Sequence, residues 1–273
     1  MDLEEFWIRN LKNRYIGDDG AVIGDMIYTM DAFWEGTHFK KGWMSPRQVA
    51  YKAFIVNLSD MVAMNAKALY MLLTMAFPKD ISPEFIEELS KEFNRLSKEH
   101  NIAIIGGDTI GSDKLGISIA MIGEATNPLR RDTLKDGDLL AYTGELGEVK
   151  KDLERLLQGE KIETDSKFYK PTLRKEFISR AAPYLSGGMD ISDGLYCDTN
   201  KLLEASNLYL QEFAIIPPEI GDSGEEYEML IGFNSKNLGK IQQIAKQTNT
   251  PLTIFAKASK EKKRFYPCKS HHF

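Results

Sequence analysis

SPRQVAYKAFIVNLSDMVAMNAKALYMLLTMAF, residues 45–77, carries one helix and the strand that follows it. Ser45 before Pro46 is a helix-start signal, because serine caps orphan N–H groups and proline at the first helical position needs none. The spacing predicts a helix through Val49, Ala53, Val56, Met61 and Met64, with Asp60 inside or near its end. ALYMLLTMAF is then almost continuously apolar, the pattern of a strand buried on both faces. An unpaired carboxylate in so apolar a helix is costly, which makes Asp60 a candidate for chemistry.

Outward from this unit, helices and strands keep alternating. On its N-terminal side, residues 21–31 read as two short strands around a turn at Gly24-Asp25. On the other side, Ser82-Pro83-Glu84 repeats the helix-start signal, and Phe85, Ile86, Leu89, Phe93 and Leu96 form one apolar stripe. Strand IAIIG is expected to end at Gly106-Gly107-Asp108, and KLGISIAMIGEA supplies the next strand. The second half restarts with strand LLAYTG and a polar helical region over 148–181. MDISDGL then leads into a helix through Leu195, Leu202 and Leu203, followed by strands LYLQEF and EYEMLIGF, a helix over 235–248 and strand LTIFA. This order predicts an α/β chain (α+β, with mixed sheets). Its 273 residues suffice for two domains, expected at 1–125 and 126–273.

Seven aspartates lie in short apolar-flanked motifs: Asp18 and Asp19 in IGDDGAVIG, Asp31 in YTMDAF, Asp60, Asp108 in IIGGDTIG, and Asp190 and Asp193 in MDISDGL. Gathering such anions in one cleft costs self-repulsion and desolvation unless cations sit among them. All-carboxylate sites suit hard cations, and Mg2+ commonly joins them to substrate phosphates.

A formal charge of −5 offers no basic surface for nucleic acid or an anionic membrane. No apolar run approaches the ~18 residues of a membrane span. The opening MDLEEFWIRN has no apolar core, so no signal peptide is expected. Cys197 and Cys268 make neither a CxxC pair nor a zinc spacing, and reduced thiols in a cytoplasmic protein are the expectation, with Cys197 on a buried helix face. Gly106 and Gly111 have the Walker A glycine spacing, but Ser112-Asp113-Lys114 replaces its Lys-Ser/Thr. GxGxxG, HExxH and the HRD–DFG pair are absent. DISDGLYCDTNK departs from a calcium loop, with Lys201 where the bidentate glutamate belongs.

The ordered motifs IGDDGAVI, TMDAFWEGTHF, AYKAFIVNLSDMVAMNAKA, IIGGDT, GEATNPLRRDTLKDGD, MDISDGL with DTNKLLEAS, and SGEEYEML resemble those of the thiamine-monophosphate kinases. That family shares a superfamily with aminoimidazole ribonucleotide synthetase and selenophosphate synthetase. The resemblance implies a two-domain aminoimidazole ribonucleotide synthetase-like fold and a homodimer formed through the N-terminal sheet. It implies γ-phosphoryl transfer from ATP to thiamine monophosphate, with several Mg2+ ions. It puts Asp19, Thr29, Met30, Asp31, Asp60, Asp108, Asp190 and Asp193 at Mg2+ positions, with Asp31, Asp108 and Asp193 in catalytic roles. Gly107, Asp108, Arg131 and Ser192 fall at ATP positions, and His38, Glu225 and Phe273 at positions for the thiamine substrate. Trp34 and His271-His272 are further candidates beside the substrate.

The residues also depart from the family pattern. Met30 stands where Ser or Thr is usual, which leaves only a backbone carbonyl there; Gly20 replaces a small side chain, an expected loosening of that turn; SGEEYE replaces GGEDYE; and the second half is shorter. Taken singly, the same residues have plainer readings. Asp18-Asp19 would be a solvated turn, Asp108 a turn cap, and Asp190 and Asp193 helix caps. His38 would be a hydrogen-bonded structural histidine, Arg131 a surface ion pair, and Glu225 a strand-edge charge. Two other functions remain open: a different ATP-using member of the superfamily, and a non-catalytic protein that binds Mg-nucleotide or thiamine phosphate. Selenophosphate synthetase is disfavoured because no cysteine precedes Cys197.

Overall fold

The computed structural model of the chain describes residues 3–11, 13–261 and 264–268. Helix α1 (Leu3–Asn10) leads into the hairpin of β1 (Ala21–Ile23) and β2 (Met26–Trp34); then come α2 (Pro46–Ala63), β3 (Lys67–Pro78), α3 (Pro83–His100), β4 (Ala103–Ser112) and β5 (Gly116–Glu124). The second half holds β6 (Leu139–Thr143), α4 (Glu148–Leu157), α5 (Lys175–Ala181), β7 (Gly187–Asp190), α6 (Leu195–Ala205), β8 (Tyr209–Glu212), α7 (Pro218–Gly221), β9 (Met229–Phe233), α8 (Leu238–Gln247) and β10 (Leu252–Ser259). The chain is thus α/β with two five-stranded sheets, ordered β1-β2-β5-β3-β4 and β7-β9-β6-β10-β8. β3 and β4 are parallel, joined through α3; every other pairing between these strands is antiparallel.

The cap signals act as read. Ser45 accepts from the Gln48 amide while the Gln48 side chain accepts from the Ser45 amide, a reciprocal capping box. Ser82 accepts from the Phe85 amide, and α3 stops at Asn101 in a left-handed conformation, φ 55°. α2 is buried on all sides because it packs on the first sheet, on α3, and on β7 and α5 of the second half. It is the helix through which the two halves meet.

Several expectations change. β3 is not covered on both faces: Tyr70 and Leu72 are exposed. They lie in rows that run across the sheet, Tyr28–Ile122–Tyr70 and Met30–Ala120–Leu72–Gly106. The expected helical region at 148–181 is two separate helices with irregular chain between them. The cysteines are bonded to each other, with Cα atoms 5.1 Å apart. The bond forms because the tail turns back along α6. There Asn200 exchanges two hydrogen bonds of 2.9 Å with the backbone of Tyr266, whose ring stacks on Tyr196.

Candidate active site

A cleft of about 320 Å³ opens where α2, β2, the end of β7 and the segment 223–228 converge. Each segment delivers its residue for a local reason. On β2, alternation turns Ile27, Thr29 and Phe33 to the buried side, and Asp31 shares that face. The Asp31 amide donates to Asn57 Oδ1 on α2, at 3.0 Å, which ties strand to helix. Asp60 sits in the last turn of α2. Asp190 ends β7, fully buried, and accepts from Ser59 Oγ at 2.6 Å. Asp18 and Asp19 come from the turn before β1; the Arg131 guanidinium donates to Asp19, and its backbone amide donates to Asp18 at 3.2 Å.

Carboxylate oxygens of Asp19, Asp60 and Asp190 all lie within 4.8 Å of one another. Burial, and then the charges of Asp31, Asp190 and Asp19, push the Asp60 carboxyl well above the usual carboxylate range, against the opposing pull of Arg131. Burial and the charge of Asp19 do the same to Asp190, opposed by the Ser59 hydrogen bond. Burial and Asp19 raise Asp18 to about 6. A divalent cation would remove this repulsion, and the donor set suits one. It is all oxygen, and both Asp19 Oδ2 and Thr29 Oγ1 are buried with no hydrogen-bond partner among the described residues.

The 190–193 turn is held from behind. Ser192 and Asp193 amides both donate to Asp198 Oδ2 at 3.0 Å. Burial, with the neighbouring Asp193 charge adding to it, lifts fully buried Asp198 to about 7 against the pull of Lys201. Lys201 is ion-paired to Asp193 and lines the cleft. On the opposite side, the Trp34 amide donates to His38 Nδ1 at 2.9 Å, and the His38 ring lies against Phe33. Lys52 of α2, fully buried, donates to Glu225 Oε2 at 2.6 Å.

Of the residues singled out in the sequence, Asp18, Asp19, Met30, Asp31, His38, Asp60, Arg131, Asp190, Ser192, Asp193 and Glu225 line the cleft. Thr29 lies behind it, buried. Met30 lines the cleft from the outer face of β2, with 70% of its surface exposed. Phe273 and His271-His272 fall outside the described residues. Asp108 and Gly107 do not line the cleft of the single chain. They lie on edge strand β4, three strand spacings or roughly 14 Å from β2. The strand also runs on to Ser112 instead of stopping at the glycines. Gly107 has its own packing reason: φ is 153°, and a Cβ there would overlap the Leu73 carbonyl. Gly20 likewise does not loosen its turn, since a Cβ would stand 2.9 Å from Thr29 Cγ2. Lys52 and Asp198 were not singled out in the sequence, and Lys201 stood out there only as a departure from a calcium loop. The signal for Lys52 was a charge among apolar neighbours in AYKAFIV, and for Asp198 an aspartate five residues after Asp193.

Residues 17–125 match the family model described as AIR synthase related protein, N-terminal domain. The thiamine-monophosphate kinase of Buchnera aphidicola subsp. Schizaphis graminum is 32% identical over 265 residues, covering 85% of this chain and 80% of the relative. The chain belongs to the thiamine-monophosphate kinase family. The Aquifex aeolicus thiamine-monophosphate kinase is 30% identical over 214 residues, covering 74% of this chain and 69% of that enzyme. In fold, the chain matches the structure of AaThiL complexed with AMPPCP and TMP, with a TM-score of 0.83 at 24% identity over 97% of this chain and 91% of that one. The two-sheet architecture is therefore that of the aminoimidazole ribonucleotide synthetase-like fold, and this member of the kinase family keeps it with a Met at position 30.

Proposed function

We propose that the chain is an ATP-dependent kinase that phosphorylates thiamine monophosphate to thiamine diphosphate. The observation that carries this reading is the Asp19–Asp60–Asp190 cluster, three carboxylates from two halves of a chain in this family, with too few cations to balance them. A phosphate oxygen of the acceptor attacks the γ-phosphorus of ATP in line; the bond from that phosphorus to the β,γ-bridging oxygen breaks, and ADP leaves. The acceptor phosphate is largely ionised at neutral pH, its second pKa being about 6, so no protein base is required. Positioning and charge neutralisation are the main demands of such a transfer.

Asp19, Asp31, Asp60, Asp190 and Asp193 would hold Mg2+, with the Thr29 hydroxyl and the Met30 carbonyl beside them. Bound Mg2+ supplies neutralisation of the phosphate charge. Arg131 would orient the nucleotide phosphates, its guanidinium being suited to forked contacts with phosphate oxygens. The Ser192 amide, already occupied by Asp198, leaves the hydroxyl as its group for ATP. His38 and Glu225 form the substrate end, with Phe273 assigned there by resemblance alone.

The reading includes a homodimer. Tyr28, Met30, Tyr70 and Leu72 leave an apolar outer face on the first sheet, and all of β4 except its last residue is exposed. Asp108 stands in the next row of that same face, Ala32–Ser118–Thr74–Asp108. A second copy covering the face would bury this surface and bring its Gly107 and Asp108 to the cleft of the first. Residues 1–125 would then serve nucleotide, metal and dimer contacts, and 126–273 would complete the cleft. A cytoplasmic location belongs to the same proposal; among the described residues no helix is long and apolar enough to cross a membrane.

The test is purified chain with ATP, Mg2+ and thiamine monophosphate, and thiamine diphosphate measured over time. Product is expected. Tight nucleotide binding without product would overturn the kinase reading in favour of a binding protein.

A further inference from the structure

Lysine is among the residues least often buried, and an ammonium removed from water needs close partners. Lys52 has no exposed surface, yet it sits in the middle of α2 between the two halves. Its Nζ donates to Glu225 Oε2 at 2.6 Å and lies 4.0 Å from the centre of the Phe168 ring, with the Phe33 ring 5.9 Å away. The aromatic faces supply attraction without accepting a hydrogen bond, so Glu225 is the one anion ion-paired with this cation among the described residues.

Glu225 is itself held unusually. Its φ is 55°, and Tyr227 two residues later has φ 52°, a conformation few non-glycine residues adopt. The Glu225 amide donates to Ser192 O at 2.7 Å and the Tyr227 amide to Ile191 O at 2.8 Å, which fastens the segment to the turn carrying Asp193. The backbone is thereby set from one side and the carboxylate from the other. Phe33, the more distant ring beside Lys52, also packs on His38, so one ammonium sits behind both residues at the substrate end.

We propose that Lys52 is a positioning residue for the organic end of the acceptor substrate. This rests on the reading of Glu225 as a substrate contact. Held by Lys52, Glu225 keeps one carboxylate oxygen engaged and leaves Oε1 as an acceptor of fixed direction. The pair is neutral overall, so Glu225 adds little to the negative charge of the aspartate cluster. The ligand group it suits is an N–H donor on a heteroaromatic ring; the aminopyrimidine of thiamine monophosphate carries one.

Steady-state kinetics and calorimetric binding of thiamine monophosphate, on the full chain, test this. Lys52→Met should raise the KM and the Kd for thiamine monophosphate at least about tenfold, the size expected when a charge-assisted contact is lost, while the KM for ATP stays within about twofold. Phe168→Leu, which keeps an apolar side chain and removes the ring face, should move the same two constants in the same direction by less. It also serves if Lys52→Met does not fold. In a Glu225→Gln background, Lys52→Met should add less than about twofold, because the two act as a unit. Equal rises in both KM values, or a full additional loss on top of Glu225→Gln, would overturn the inference. If the wild type binds thiamine monophosphate without turning it over, the kinase reading fails and the binding comparison still decides on Lys52. Absence of any binding to the wild type overturns both.

Discussion

Glu226 and Glu228 are as deeply buried as Asp190, and the charge they carry is answered from within the chain. Arg174 grips Glu228 with two hydrogen bonds of 2.7 Å, Thr143 adds one of 2.6 Å, and Lys167 stands 2.7 Å from Glu226. In the cleft, Asp60 and Asp190 have no salt bridge to any described residue, and both carboxyls are pushed upward by burial and by other aspartates. Burial alone therefore does not tell the two clusters apart. The balance of charge does: the paired glutamates join the segment after α4 to the second sheet, while the aspartates leave room for a cation.

The largest predicted effect comes from the open cluster. Asp60→Asn or Asp190→Asn should lower kcat by about 100-fold or more, since even indirect partners of a metal are worth 10–100-fold. Without metal, each variant should melt no lower than wild type, because an amide relieves repulsion. The same carboxylate-to-amide change in the closed cluster should act in reverse. Glu228→Gln should cost about 3 kcal/mol in denaturant unfolding, as expected when a buried cation loses its partner, with kcat per folded molecule nearly unchanged. Equal behaviour of the two substitutions would end the distinction between the clusters.

The pH dependence follows from the same difference. Folding raises Asp18 to about 6 and Asp198 to about 7, so the folded state binds more protons than the unfolded one above the ordinary carboxylate range, near pH 4. What these two carboxyls contribute to metal-free stability is fully present below about pH 4 and is lost as pH rises through 6 to 7. Melting curves with chelator should show this decline, and added Mg2+ should flatten it. If a second copy supplies Asp108 as proposed, mixing Asp60→Asn with Asp108→Asn should restore part of the activity lost in each, because a mixed dimer would keep one cleft with both carboxylates. No recovery after subunit exchange would remove Asp108 from the site. The smallest effect is at Met30, whose side chain points away from the cluster: Met30→Thr should change kcat and stability by less than about twofold and 0.5 kcal/mol.

Much of this was legible in the sequence because it was local. Ser45 and Ser82 announce their helices, and Asp19, Asp60 and Asp190 stand out as charges whose neighbours are apolar. What escaped was set by distant chain. Gly106-Gly107 looks like a strand end, yet it answers to the approach of β3, which local pattern does not record. The apolar run of β3 promised two covered faces, but a run says nothing about what covers it. Cys197 and Cys268 meet across 71 residues only because the tail folds along α6. Lys52 finds its carboxylate 173 residues away, so its burial was visible as an oddity and its partner was not.

The most direct test is calorimetric titration of Mg2+ into wild type, Asp190→Asn and Glu228→Gln at neutral pH, with a non-hydrolysable ATP analogue present. Saturable binding is expected for wild type and Glu228→Gln, and loss or strong weakening for Asp190→Asn. Equal binding to all three, or none to wild type, would contradict it.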